Sequence, residues 1–230
     1  MRCVFSLLTG GLVCAFAQTP LQSLHGHVIL SAAGSPYLVE TSLVQTPRDT
    51  LVIEAGVRVL VDGYRKILLR GCVRIHGTAS QPVIFSSADS TDSWIGLHWA
   101  TGSKAMDVQE LVVQNAFRNT VSASSGQMFQ CRFQGNYYGL WVDDSPNLRL
   151  VRCEFQRNRY GLAVGSGILQ ISSSKISKNV YGIWLEGQGQ IHGLENQIAN
   201  NTEEDSPAIT KPISRSYYSQ RLLQALEARF

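Results

Sequence analysis

The chain has 230 residues, with 20 Lys and Arg against 17 Asp and Glu and a formal charge of +3. The basic residues are scattered rather than clustered, which excludes a nucleic-acid footprint. Charged residues are few and Gly, Ser, Asn and Gln are common, the balance of a β-rich, turn-rich exported chain.

Residues 1–17 read as a secretory leader. Arg2 supplies the positive start, Val4 to Phe16 is apolar, and Ala15-Phe16-Ala17 is a cleavage site before Gln18. The apolar run is too short to span a bilayer, and no other segment is apolar enough to be transmembrane. Lipidation at Cys14 is disfavoured by the poor lipobox Gly11-Leu12-Val13. The expected destination is the outside of the cell, its surface or the periplasm. Loss of Arg2 with the leader leaves 3 − 1 = +2. Cys3 and Cys14 leave too, so Cys72, Cys131 and Cys153 remain, an odd set that cannot pair completely within the chain.

Residues 18–35 are weakly patterned and read as an N-terminal cap segment, with His27-Val28-Ile29-Leu30 as its strand. Tyr37 to Val44 then alternates, and Thr50 to Ile53 and Val57 to Val61 are strands joined by Glu54-Ala55-Gly56. Ile67 to Leu69, Cys72 to Ile75, Pro82 to Phe85 and Trp94 to Leu97 continue the series. Ser35-Pro36-Tyr37, Leu51-Val52-Ile53-Glu54-Ala55-Gly56-Val57, Gly77-Thr78, Pro82-Val83-Ile84-Phe85 and Trp94-Ile95-Gly96-Leu97 together resemble the secreted bacterial right-handed parallel β-helix proteins, within the broad pectin-lyase-like fold. The resemblance spans roughly residues 25–200 and implies a fold that hosts many activities.

Met106 to Gly126 is a less regular coil, and three regular ones follow. Asn136, Asn158 and Asn179 recur at offsets of 22 and 21 residues. Each leads into Tyr-Gly and a branched apolar residue: Tyr138-Gly139-Leu140, Tyr160-Gly161-Leu162 and Tyr181-Gly182-Ile183. That period marks a stacked-repeat solenoid. Cys131 and Phe133 match Cys153 and Phe155, then Ser174 and Ile176, all at strand spacing. The expected fold class is therefore all-β, a right-handed parallel β-helix of two short strands per coil. It covers residues 36–200 in about seven or eight coils. The asparagines should form a ladder at a turn, and Gly139, Gly161 and Gly182 should supply positive φ there. Cys131, Cys153 and Ser174 read as a ladder of small residues rather than a bridge.

Residues 201–213 read as a polar linker, and 214–230 as a C-terminal amphipathic α-helix. Tyr218, Leu222, Leu223, Leu226 and Phe230 fall on one of its faces. It either caps the last coil or docks a partner.

Strand alternation sends Trp141 and Trp184 outward, flanking Ala163, with His98 in the same column. Outward tryptophans two coils apart can stack on sugar rings, which makes these three the candidate ligand-binding residues. Asp143 and Asp144 at one turn, with Glu186 nearby, are the candidate metal residues, for Ca²⁺, although the ligand count is low. No cofactor is otherwise expected. The overall expectation is a non-catalytic structural or adhesive module, with polysaccharide or another cell-envelope component as its partner. The alternative is a lyase or hydrolase acting on uronate-type polymers.

Overall fold

The computed structural model describes residues 18–100, 106–145 and 148–202. The leader at 1–17, the helix expected at 214–230 and most of the 201–213 linker lie outside the described residues. Within them the chain winds into a right-handed β-solenoid whose 24 strands form three parallel sheets of nine, seven and eight. Each sheet is one face of a tube of about eight coils, and at ~4.8 Å per rung the tube is roughly 35 Å long.

Three strands per coil, not two, make the wall. In a regular coil the first face holds Arg132–Gln134, the second Tyr138–Asp143 and the third Leu148–Val151. The third strand carries no Asn-Tyr-Gly landmark, so periodicity alone did not separate it from the loop. Winding begins before residue 36: Thr19–Pro20 pairs with Tyr37–Leu38, and His27–Leu30 pairs with Thr50–Ile53.

Parallel pairing in register, apart from shifts on the second face between Arg118 and Thr120 and between Val142 and Asp143, puts like residues over like. On the first face Phe85, Val113, Phe133, Phe155 and Ile176 form one interior column. The rings of Phe133 and Phe155 stack with centroids 5.3 Å apart and planes 3° apart. On the second face Leu140 sits over Leu162, and Val142 over Val164. On the third, Ile53, Ile75, Val108, Met128, Leu150 and Ile171 do the same. All belong to one buried cluster, and each such side chain contributes roughly 1.5–3 kcal/mol of apolar burial.

The corner between the first and second faces is held by side-chain amides. The Asn136 backbone N–H and Nδ2 both donate to Asn158 Oδ1, at 2.9 and 3.1 Å. Asn158 makes the same pair of bonds to Asn179 Oδ1, and Asn179 repeats them to Asn201 Oδ1. Each Nδ2 also reaches back to a first-face carbonyl: Asn136 to Val113, Asn158 to Phe133 and Asn179 to Phe155. Asn201 thus adds a rung beyond the three regular repeats.

The glycines act otherwise than expected. Gly139, Gly161 and Gly182 do not have positive φ; the left-handed residues of this corner are Gly135, Arg157 and Lys178, just before each asparagine. The repeat glycines are needed for close approach. A Cβ on Gly161 would lie 2.6 Å from the Gly182 carbonyl oxygen and 2.8 Å from Asn179 Nδ2. A Cβ on Gly139 would collide with the Gly161 carbonyl in the same way. Arg157 and Lys178 hold a conformation that costs non-glycine residues about 1 kcal/mol or more, tolerated because the ladder fixes the corner.

Cys131 and Cys153 are free thiols, and both are buried, with Ser174 continuing their column. Burial, with the neighbouring Cys153 second, pushes the Cys131 thiol well up.

Asn158→Ala removes an acceptor for two donors and a donor for two acceptors, all buried. At about 1–3 kcal/mol per stranded group, it should cost at least ~3 kcal/mol. The check is a urea titration: the midpoint should fall with an unchanged slope. A midpoint within error of wild type would remove the ladder from the stability of the coil.

Candidate functional site

The second face carries aromatic residues on the outer side of its strands. Tyr138, Tyr160 and Tyr181 occupy equivalent rungs and stack, with centroids 4.7 and 4.9 Å apart and planes within 14°. Trp184 meets Tyr160 and Tyr181 edge-on, each at 5.4 Å, and Trp141 meets Tyr138 at 5.3 Å. Ile95, Phe117, Tyr137 and Ala163 complete a cluster separate from the interior core. Arg118 lies 5.8 Å above the Trp141 ring, and Arg159 5.6 Å from Tyr137. Burial raises the Tyr137 hydroxyl pKa to about 12.

This is not the open aromatic platform that strand alternation suggested. Tyr138 is 3% exposed and Trp184 8%; Trp141 is half-buried. The physical reason is contact within the face: the tyrosine rings stack at the ~4.8 Å rung step, and the tryptophan rings lie edge-on against that stack. No sugar ring fits between them.

His98 belongs to this face but is 8% exposed. It sits between Leu68 and Thr120 on neighbouring rungs, and its Nε2, like Thr120 Oγ1, has no hydrogen-bond partner. Burial, then the positive charges of Arg118 and Lys66, push its pKa down to about 3. It is an uncharged packing residue at neutral pH.

The acidic turn does not gather ligands. Asp143 Oδ1 accepts a 2.5 Å hydrogen bond from Ser166 Oγ on the next coil. Asp144 is exposed in a left-handed conformation, and Glu186 is exposed two coils along. Among the described residues no three His, Cys, Asp or Glu side chains converge on one point.

A second place was missed by sequence reasoning. The outer side of the third face presents Arg74, Asp107, Gln127, Arg149 and Gln170 on consecutive rungs of one column. Asp107 accepts from Gln127 Nε2 at 3.2 Å through one oxygen and meets His76 Nε2 at 3.2 Å through the other. Arg149, Gln127 and Gln170 are exposed. A shallow cleft of about 370 Å³ opens here, lined by Met106, Asp107, Gly126, Gln127, Arg149 and Gln170. Gly126 makes its floor: φ is +132°, and a Cβ would lie 2.6 Å from the Met106 nitrogen. The usable signal was the alternation of polar and apolar residues in Asp107-Val108-Gln109 and Leu148-Arg149-Leu150, which a coil of two strands leaves unassigned.

The sign of the His98 shift sets a pH dependence. The folded pKa of about 3 lies below the ordinary 6.5, so the unfolded chain binds the extra proton between those values. Stability is complete above pH 6.5 and is lost as pH falls toward 3, by up to about 1.4 kcal/mol per unit. Urea midpoints at pH 7, 6 and 5 should fall more steeply for wild type than for His98→Gln. Parallel lines for the two proteins would show that His98 takes up its proton in the folded state.

Residues 118–202 match the family described as the right handed beta helix region. No curated protein and no solved structure matches the chain. No helix among the described residues is long and apolar enough to cross a membrane. The three parallel faces and the asparagine ladder give the described residues the fold of a right-handed parallel β-helix, and the family match covers its coils from 118 to 202.

Proposed function

We propose that the protein is an exported, non-catalytic β-helix scaffold whose third face grips a hydroxyl-rich polymer such as a polysaccharide. The observation that carries this reading is the polar row Arg74, Asp107, Gln127, Arg149 and Gln170, exposed except for the half-buried Asp107, beside Gly126. Such a row offers charged and amide groups at a regular ~4.8 Å step, suited to a linear chain with repeating hydroxyls or carboxylates. The rigid wall holds them in place, so little ordering entropy is lost on contact. The closed second face argues against the tryptophans as the contact surface. The leader-like residues 1–17 support export.

One observation favours the enzymatic alternative. Asp107 shares its column with Arg74 and Arg149, an acid and two cations on one coil surface, as polymer cleavage beside a uronate carboxylate requires. The same experiment separates the two. Residues 18–230 are incubated with neutral and uronate polysaccharides, and binding and chain length are both followed. Arg149→Ala with Gln127→Ala should weaken binding at least tenfold, as expected for charge-assisted bonds of about 1.5–3 kcal/mol. Undiminished binding by the double variant overturns the site. Shortening of a uronate polymer that is lost in Asp107→Ala replaces the scaffold reading with the lyase or hydrolase one.

A further inference from the structure

The faces of the tube use their charges differently. On the first face Arg132 sits over Glu154, with its Nε 3.1 Å from the carboxylate, and Lys175 follows on the next rung. Cation and anion alternate there and cancel one another. On the third face Arg149 lies between two uncharged amides, Gln127 and Gln170. Among the described residues neither Arg74 nor Arg149 joins an ion pair.

Two imidazoles flank this unspent charge. Gln170 is followed on the next rung by the exposed His192. The column from Arg74 to His192 thus runs five steps, about 24 Å. At its other end His76 faces outward beside Arg74 on the strand Cys72–His76, and its Nε2 meets Asp107 Oδ2 at 3.2 Å. The strands packed against Cys72–His76 bring Glu54 and Asp107 next to His76. The strands that contact Gln190–His192 are Ile168–Ser172, which has no titratable side chain, and Tyr160–Ser166, whose Tyr160 is buried in the second-face cluster. The carboxylates nearest His192 in sequence are Glu186 and Glu195, and Glu195 is held by Ser173 Oγ at 3.0 Å.

We infer, on the basis of the polymer-binding reading above, that this row is a proton-switched site for an acidic polysaccharide, held more tightly in acid than at neutral pH. Two arginines against one aspartate give the row a charge of +1 when both imidazoles are neutral. Imidazole is the side chain whose ordinary protonation falls between about pH 5 and 8. Protonated His76 forms an ion pair with Asp107 and cancels the one charge of the column that repels an anionic chain. Protonated His192 adds a cation two rungs beyond Arg149. The row then carries +3, with cations at both ends and between them on a rigid wall, where a linear polyanion meets all of them at once.

The test measures binding of alginate, dextran sulfate and neutral dextran at pH 7.5 and 5.5, with circular dichroism to verify the fold at each pH. Affinity for both polyanions should rise on acidification by about two- to fivefold for each imidazole, the effect of one exposed ion pair, while neutral dextran shows no change. His76→Gln keeps a donor for Asp107 but takes up no proton. It and His192→Gln should each lose their share of the rise, and the double variant should lose nearly all of it. Asp107→Asn should bind the polyanions more tightly than wild type at pH 7.5. A folded double variant that keeps the whole rise overturns the switch, as does weaker binding of the polyanions by Asp107→Asn. A rise for alginate alone belongs to the carboxyl groups of that polymer and also overturns it. Polyanion binding that is the same at both pH values removes the switch and leaves the polymer site standing. Absence of binding to every polymer at both pH values overturns the site and the switch together.

Discussion

Everything in this protein depends on the ~4.8 Å step between parallel strands, which forces each residue to share its surroundings with its equivalents one coil away. A parallel β-helix has no freedom to alternate partners along its axis. A side chain that packs poorly against a copy of itself is therefore penalised at every rung. Phenylalanine over phenylalanine, asparagine over asparagine and tyrosine over tyrosine satisfy that rule by stacking or by hydrogen bonding head to tail. The asparagine ladder goes further, since each amide serves two backbone groups besides its neighbour. It holds residues 157 and 178 in left-handed conformations that their side chains resist.

The same constraint decides which surfaces stay available. Aromatic side chains repeated at one position close on each other, so the second face becomes an apolar wall. Burial there leaves His98 uncharged. On the third face the repeated position carries different polar residues, and arginine, aspartate and glutamine do not merge into a sealed layer. Gly126 deepens that surface because only a glycine lets the Met106 strand approach so closely. One tube thus presents a closed apolar side and an open polar side, divided by the chemistry of a single column of positions.

Most of the fold was legible in the chain itself. The offsets between Asn136, Asn158 and Asn179, and the i, i+2 alternation of Cys131 with Phe133, identify stacked coils without coordinates. What they did not reveal was the third strand, because Leu148–Val151 and Ile168–Ser172 share no landmark residue. The candidate site was less legible for a related reason. Outward direction follows from alternation, but exposure does not. Trp141 and Trp184 point away from the tube as their positions dictate, yet Trp184 is buried and Trp141 half-buried.

By itself, then, the sequence determined the architecture: a period of 21 to 22 residues, the inward columns, and an asparagine at each corner. These are local properties, set by side-chain spacing and the strand period. Only the tertiary structure decided which outward residues meet solvent, why Gly139 and Gly161 are small, and that Arg74, Asp107, Gln127 and Arg149 fall into one row. Those residues lie 20 or more positions apart in the chain. They become neighbours only when the coils stack, and the length of each loop sets the register in which they do so.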